Sequence, residues 1–236
     1  MKVITNEKLI KRNARIGSTL SLLGLIMLAG GMYISFRDSA STEPQLYNWA
    51  FAALIGGFMF SQVGLYFGNR WGRARPVEEI LNKALKGIDR NHTLYHYSTP
   101  ASHVLVGPSG LWVLVTKHQR GKITYEKNRW KQRGGGLLLA YLKLLAQEGI
   151  GRPDLEIASE TEALKAYLEK KLPPETIPPV QAALVFINPK AELHADEAPI
   201  PTVTPKGLKQ VIVKESKRRR LSPEAYKAIQ KALEEA

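Results

Sequence analysis

The feature that most constrains this chain is a pair of long uncharged segments near its N-terminus. Residues 16–36 and residues 46–68 contain no Asp, Glu, Lys or Arg. A helix of about 20 apolar residues crosses the roughly 30 Å hydrocarbon layer of a bilayer, and two such runs are rare in soluble cores. Only residues 37–45 separate the two segments. The sequence therefore predicts a two-helix transmembrane hairpin.

Basic residues flank both ends of this hairpin. The first segment follows Lys2, Lys8, Lys11, Arg12 and Arg15, and the second precedes Arg70, Arg73 and Arg75. The positive-inside rule then predicts a two-pass protein of the cell membrane with cytoplasmic N- and C-termini. A cleaved signal peptide is the alternative for the first segment, but its apolar region is long and no clear Ala-x-Ala site follows. Five glycines are expected to let the two helices approach closely, namely Gly24, Gly30, Gly31, Gly56 and Gly57.

The overall charge indicates the kind of partner. The chain carries a net charge of +13, which favours contact with a polyanion such as nucleic acid or anionic lipid. It contains no cysteine, so disulfides, thiol catalysis and cysteine-ligated zinc are excluded.

Residues 102–117 predict a buried β-hairpin. Two runs rich in apolar residues flank a Gly-Pro-Ser-Gly turn that extends from Gly107 to Gly110. Both runs are apolar on both faces, which is typical of the centre of a sheet covered on its two sides. Because side chains alternate along a strand, Val115 and Lys117 share one face.

This hairpin resembles the nuclease-related domain family, NERD, a branch of the restriction-endonuclease-like fold. Members of that family read Ile-Asp-His-Val-x-Val in the first strand, Gly-Pro-x-Gly in the turn and Glu-x-Lys at the end of the second strand. This chain has Ala-Ser-His-Val-Leu-Val from Ala101, the matching turn, and Val-Thr-Lys ending at Lys117. The resemblance covers residues 72–215 and implies an α/β domain with a mixed sheet.

The two carboxylates of the family motif are missing. Ser102 stands in place of the Asp, and Val115 stands in place of the Glu. In the family these carboxylates hold a divalent cation, which activates water and stabilises the transition state. A hydroxyl and an isopropyl group cannot replace them, so we expect no cofactor. The expected remnant of the site comprises Lys117, Ser102, Val115 and Glu78, a helix glutamate that could instead be a favourable first-turn charge.

A basic run follows the hairpin and includes a predicted strand over residues 123–126. The candidate polyanion-binding residues are Arg120, Lys122, Lys127, Arg129, Trp130, Lys131 and Arg133. Cations follow a phosphate backbone and aromatic rings stack on bases, so the mixture suits DNA or RNA. Anionic lipid headgroups, or a solvated hairpin tip, account for the same composition.

The remaining segments predict the other elements of the domain. Residues 137–146 are apolar on nearly every side and predict a helix that rests on the membrane surface or against the base of the anchor. Ser159 and Glu162 form a capping box that predicts the start of a helix ending at Leu172. Residues 152–156 are the nearest match to the family's Asn-Pro-x-x-Gln motif. Residues 180–187 predict a buried strand, and further helices are expected from Pro205 and Pro223.

These observations divide the chain into a basic N-terminus (1–15), a membrane anchor (16–68), a NERD-like domain (72–215) and a basic linker with a final helix (216–236). The function that fits best is a membrane-anchored, catalytically inactive domain that binds nucleic acid, anionic lipid or a protein partner. One alternative is a Mg²⁺-dependent nuclease whose carboxylates have migrated, with Glu78, Glu126 or Glu156 reaching Lys117. Another is a structural membrane-associated scaffold.

Overall fold

The computed structural model describes residues 1–37, 44–72, 77–133, 149–216 and 221–234. The chain forms two compact units. One comprises residues 7–76, and the other comprises residues 1–6 together with residues 77–236. The helix predicted over residues 137–146 lies outside the described residues.

The smaller unit consists of two long helices, α1 (Glu7–Ser35) and α2 (Pro44–Trp71). Both are long and apolar enough to cross a membrane, as the sequence predicted. Their large apolar side chains are exposed, with Leu25 at 62% and Met59 at 63%. A soluble core helix would bury such residues, whereas only 17% of the most apolar window of each helix is buried.

Glycines form the contact between α1 and α2. Gly17, Gly24 and Gly31 recur every seventh residue and are buried. A Cβ atom added to Gly24 would lie 2.8 Å from the carbonyl oxygen of Gly57, so the backbones touch. The prediction of close approach is confirmed for Gly24, Gly31 and Gly57. It is wrong for Gly30, which faces away from α2, so that a Cβ atom added there would meet nothing within 4 Å.

The larger unit contains a mixed sheet of six strands in the order β1-β2-β3-β4-β7-β9. The strands are β1 (Lys2–Thr5), β2 (Thr93–His96), β3 (His103–Gly107), β4 (Gly110–Lys117), β7 (Val180–Phe186) and β9 (Thr202–Val203). The predicted hairpin is β3–β4, with Gly107 paired to Gly110 across a two-residue turn. Gly110 has φ +104°, a conformation that glycine adopts without strain.

Helices cover both faces of this sheet. The described helices are α3 (Val77–Ala84), α4 (Pro153–Glu169), α5 (Pro205–Ser216) and α6 (Pro223–Glu234). Val113 and Val115 face one layer and pack in one core with residues of α4 and α6. Trp112 and Leu114 face the other layer and pack in a second core with residues of α3 and α5. The hairpin is therefore the buried centre of the domain, as predicted.

A second sheet has the order β6-β5-β8, with β5 (Gly121–Glu126), β6 (Arg129–Arg133) and β8 (Ala191–His194). The strand predicted over residues 123–126 exists, but it does not extend the main sheet. The edge of β4 away from β3 is already paired, in parallel, with β7. The chain after Lys117 consequently leaves the main sheet and forms a separate hairpin.

The N-terminal residues also belong to the domain. Lys2–Thr5 pairs in parallel with Thr93–His96, and the Asn6 N–H donates a hydrogen bond to the carbonyl oxygen of His96 at 2.9 Å. The sequence predicts only a basic N-terminus over residues 1–15 and does not predict this strand. Four residues are too few to show a strand pattern of their own.

Helix α4 begins earlier than predicted. It starts at Pro153 and runs to Glu169, so the capping box assigned to Ser159 and Glu162 is wrong. Proline at the first helical position has the required φ and needs no N–H partner. The motif-like residues 152–156 therefore form the N-cap and first turn of α4 rather than preceding the helix.

Candidate functional site

The residues that match the family motif meet at one end of the β3–β4 hairpin. Ser102 directly precedes β3, while Val115 and Lys117 lie at the end of β4. Val115 is 2% exposed and packs in the core beneath α4 and α6. The Lys117 side chain is 13% exposed. Three of the four residues of the predicted remnant site are thus placed by the same hairpin.

Helix α4 brings two glutamates to this point. Glu156 accepts a hydrogen bond from the Lys117 ammonium group and forms an ion pair with it. One turn later, Glu160 accepts one hydrogen bond from the Ser102 hydroxyl at 2.7 Å and another from the Ser102 N–H at 3.0 Å. Residues four apart lie on the same side of a helix. Ser102 and Lys117, the two polar motif residues, are therefore each paired with a different carboxylate of α4.

Glu160 is the site residue that sequence reasoning missed. Glu156 was a candidate because it occupies the last position of the motif-like segment. The predicted helix start at Ser159 left Glu156 outside the helix, which concealed the i, i+4 relationship between the two glutamates. A helix beginning at Pro153 would have revealed the pair, because proline favours the first helical turn.

The two family positions contribute no carboxylate to a divalent cation. The two family positions supply one hydroxyl and one isopropyl group, and Mg²⁺ prefers carboxylate, phosphate and water oxygens. Both helix carboxylates are engaged, Glu156 with Lys117 and Glu160 with Ser102. Within the described ranges, no group of three or more His, Cys, Asp or Glu residues is placed to hold a metal ion.

The other two carboxylates considered for the site lie elsewhere. Glu78 begins α3, which packs on the sheet face opposite to Val115, and no hydrogen bond or ion pair joins it to Lys117 in the described structure. Partial burial raises the pKa of the Glu78 carboxyl above its usual value. Glu126 lies in the second sheet and pairs with Lys131 at 3.0 Å, which lowers the pKa of Glu126.

Two histidines form a buried pair next to the hairpin. His96 and His103 face each other across β2 and β3, and their Nδ1 atoms are 2.9 Å apart. The Nε2 atom of His96 lies 3.2 Å from the Asn82 side-chain oxygen. Burial lowers the pKa of His96 to about 4. This is a packed, hydrogen-bonded pair of rings.

The β5–β6 hairpin carries most of the predicted polyanion-binding cations on one face. In its ladder Lys122 is opposite Arg133, and Glu126 is opposite Arg129. Residues directly opposite each other on antiparallel strands share a face. We call the set Lys122, Arg129, Lys131 and Arg133 the cationic face. Lys131 pairs with Glu126, whereas the other three cations form no ion pair in the described structure.

The remaining predicted residues lie outside the cationic face. Trp130 points to the opposite side, where its ring centre is 5.0 Å from that of Tyr125 and 6.4 Å from that of Phe186. Lys127 lies in the tight turn with φ +50°. Arg120 precedes β5, and its backbone oxygen accepts a hydrogen bond from Gln132 at 3.0 Å. The structure therefore separates most cations from the aromatic rings.

A pocket of about 400 Å³ lies beside the half-buried Trp130. Its wall is formed by the turn and start of β6 and by the N-terminal end of α4, including Arg129, Arg152 and Asp154. Arg152 pairs with Asp154 at 3.2 Å, while Arg129 is exposed. The pocket thus combines one indole, two guanidinium groups and one carboxylate.

Comparison with known proteins supports the resemblance seen in the hairpin. Residues 74–187 match the family model of the nuclease-related domain. Comparisons with curated proteins and with solved structures gave no match. The matched range extends from α3 to the end of β7 and includes Ser102, Val115, Lys117, Glu156 and Glu160. This part of the chain, a mixed sheet following two long apolar helices, is a nuclease-related domain.

Proposed function

We propose that this protein is a membrane-anchored NERD domain that binds nucleic acid through the cationic face and does not cleave it. The observation that carries the proposal is the pairing of Lys117 with Glu156 and of Ser102 with Glu160. The polar side chains at the motif positions are paired with glutamates of α4 rather than left open to a metal ion and a substrate.

The absence of catalysis follows from the chemistry of these pairs. A metal-dependent nuclease needs oxygen ligands that hold the cation and stabilise charge on the phosphate. Recruiting Glu156 and Glu160 for this purpose would break both pairs. It would also leave the Lys117 ammonium group, largely buried, without its partner.

The length of the cationic face and the pocket beside Trp130 favour nucleic acid as the polyanion. Arg129 and Arg133 lie at the two ends of a strand and are separated by roughly 14 Å at about 3.4 Å per residue. Such a row of cations can contact several phosphates of one strand. The pocket beside Trp130 adds an aromatic ring and two guanidinium groups, which together suit a base and a phosphate.

Membrane anchoring is supported by α1 and α2 and by the place of the N-terminal strand. Residues 1–6 belong to the same compact unit as residues 77–236, although the two apolar helices separate them in sequence. A single folded unit lies on one side of a bilayer. We therefore place both ends of the helical hairpin on the same side, which the basic flanks identify as the cytoplasm.

The binding test compares two variants of equal charge. Replacing Lys122, Arg129, Lys131 and Arg133 by Gln should weaken binding of labelled oligo(dT) and oligo(U) by the full chain in phosphatidylcholine nanodiscs. Each phosphate contact removed lowers the salt slope of the affinity by about 0.7 to 0.9. The control replaces the exposed Lys170, Lys206, Lys227 and Lys231 by Gln. Equal losses in both variants, or loss only of binding to phosphatidylserine vesicles, would contradict the proposal.

A nuclease assay distinguishes the rival function. Two carboxylates reach the motif positions from α4, and this favours a nuclease with migrated carboxylates as the second candidate. The full wild-type chain is incubated with labelled DNA and RNA in the presence of Mg²⁺ or Mn²⁺. The variants Lys117→Ala and Glu160→Gln are assayed in parallel. We expect no cleavage above background in any sample. Metal-dependent cleavage that both substitutions abolish would establish the rival.

A further inference from the structure

A groove of about 720 Å³ lies at the free edge of the main sheet. Strand β9 pairs only with Leu184 and Val185, so the first part of β7 has no ladder partner on that edge among the described residues. One wall of the groove comes from α4, and another comes from the segment Pro199–Pro201. The Pro201 carbonyl oxygen accepts a hydrogen bond from the Leu184 N–H at 2.9 Å, but Pro199 and Pro201 have no N–H to donate to β7.

The charge of the groove is opposite to that of the protein as a whole. Asp154, Glu162 and Glu215 line it, and no Lys or Arg lines it within the described ranges. The whole chain carries a net charge of +13. Glu162 is exposed and forms no ion pair in the described structure, whereas Asp154 pairs with Arg152 at 3.2 Å. The groove therefore attracts cations, although the chain as a whole is basic.

Two polar atoms in the groove lining lack a partner. The side-chain oxygen of Gln181 on β7 and the hydroxyl of Thr161 on α4 are inaccessible to solvent and make no hydrogen bond. Buried polar groups in native proteins are nearly always paired, so each such exception calls for an explanation. Rotation of either side chain turns its oxygen towards the groove, where it accepts a hydrogen bond from a ligand. The remaining lining is largely apolar and includes Ile157, Val180 and Ile200.

We propose that this groove docks an extended, Lys- and Arg-rich segment of a partner protein, which adds as a strand to the free edge of β7. Edge strands bind extended peptides through their main chain, while neighbouring pockets select the side chains. Alternate apolar side chains of the segment pack on Ile157 and Ile200. Its basic side chains reach the carboxylates at the rim, and its donors pair with Gln181 and Thr161.

The proposal is independent of nucleic-acid binding. The groove involves β7 and α4, whereas the cationic face lies on β5 and β6. A polyanion is repelled by Glu162 and its neighbours, so the same ligand cannot serve both surfaces. Asp154 lines both the groove and the pocket beside Trp130, so the variants are made at other residues, and each should leave binding at the other surface unchanged.

The test selects ligands without assuming their sequence. The full chain in phosphatidylcholine nanodiscs is used to select from a displayed library of random short peptides. Ala158→Trp fills the groove from α4, and Ala163→Trp places the same ring at an exposed position of that helix outside the groove. We expect wild type and Ala163→Trp to enrich peptides in which Lys or Arg alternates with β-branched residues. Ala158→Trp should enrich none of them.

The affinity of the enriched peptides then tests the charge argument. Glu162→Lys should weaken binding by about fivefold and reduce its salt dependence, whereas Glu175→Lys, at an exposed position outside the groove, should not. Unchanged hydrogen-exchange protection of β3 and β4 verifies that each variant is folded. Failure to enrich peptides, enrichment of neutral or acidic ones, or their retention by Ala158→Trp would overturn the proposal. Self-association of wild type that Ala158→Trp abolishes would also overturn it, because the occupant would then be a second copy.

Discussion

Glu160 holds Ser102 through two hydrogen bonds although 58 positions separate them in sequence. The carboxylate accepts from the Ser102 hydroxyl at 2.7 Å and from its N–H at 3.0 Å. These bonds join the start of β3 to the middle of α4. Ser102 therefore connects the sheet to a helix.

Removing the hydroxyl tests this connection. Ser102→Ala should lower the free energy of opening of β3 and β4 by about 1 to 3 kcal/mol, because a hydrogen bond to a charged group is lost. The measurement is hydrogen exchange of the full chain in detergent, read at residues 103–117. Ser159→Ala, at an exposed position of α4 without this contact, should change little. An equal effect of the two substitutions would show that the Ser102–Glu160 hydrogen bond does not stabilise the contact between β3 and α4.

The buried histidine pair predicts that the domain loses stability in acid. Burial lowers the pKa of His96 from its ordinary value of 6.5 to about 4 in the folded protein. Between these values the unfolded chain binds a proton that the folded chain excludes, so stability falls as the pH decreases from about 6.5 to 4. The two groups bonded to the His96 ring, His103 and Asn82, carry no negative charge that would favour its protonation.

The change expected from His96 is roughly 3 kcal/mol over that range, at 1.36 kcal/mol for each pKa unit. Hydrogen exchange of β3 and β4, recorded at pH values from 7 to 4 and corrected for intrinsic exchange rates, measures it. His96→Gln removes the titrating group and should flatten the dependence on pH. A dependence as steep in His96→Gln as in wild type would assign the effect to other groups.

Two glycines of α1, six residues apart, test the packing of the helical hairpin. A Cβ atom at Gly24 would meet the backbone of α2, whereas one at Gly30 would meet nothing within 4 Å. Gly30→Ala should leave stability unchanged or raise it by about 0.5 to 1 kcal/mol, because alanine favours helices. Gly24→Ala should lower the midpoint of thermal unfolding in detergent. Similar midpoints for both variants would mean that the helices do not pack through Gly24.

Topology can be tested by labelling, because the natural chain has no cysteine. In intact cells, a membrane-impermeant thiol reagent should modify Ser41→Cys in the connection between α1 and α2. It should modify Ser216→Cys, near the end of α5, only after the membrane is opened. The reverse pattern would place the NERD domain outside the cell.

Local patterns in the sequence determined several parts of this protein. The two uncharged segments predicted α1 and α2 because the length of a membrane-crossing helix follows from the thickness of the bilayer. The apolar runs on either side of the Gly-Pro-Ser-Gly turn predicted the β3–β4 hairpin, because the turn and the alternation of side chains are local. Ser102 and Val115 also led to the prediction, made without coordinates, that the family's metal-binding carboxylates are missing.

The relationships between distant segments were decided by the tertiary structure alone. Glu160 joins Ser102 only because α4 begins at Pro153 and packs on β4 and β7. The cations of β5 and β6 share a face, and Trp130 lies on the other, because of the register of that hairpin. Four N-terminal residues become a strand only beside β2. Such contacts depend on how elements dock over long separations, and short-range patterns of apolar and polar residues carry no information about that docking.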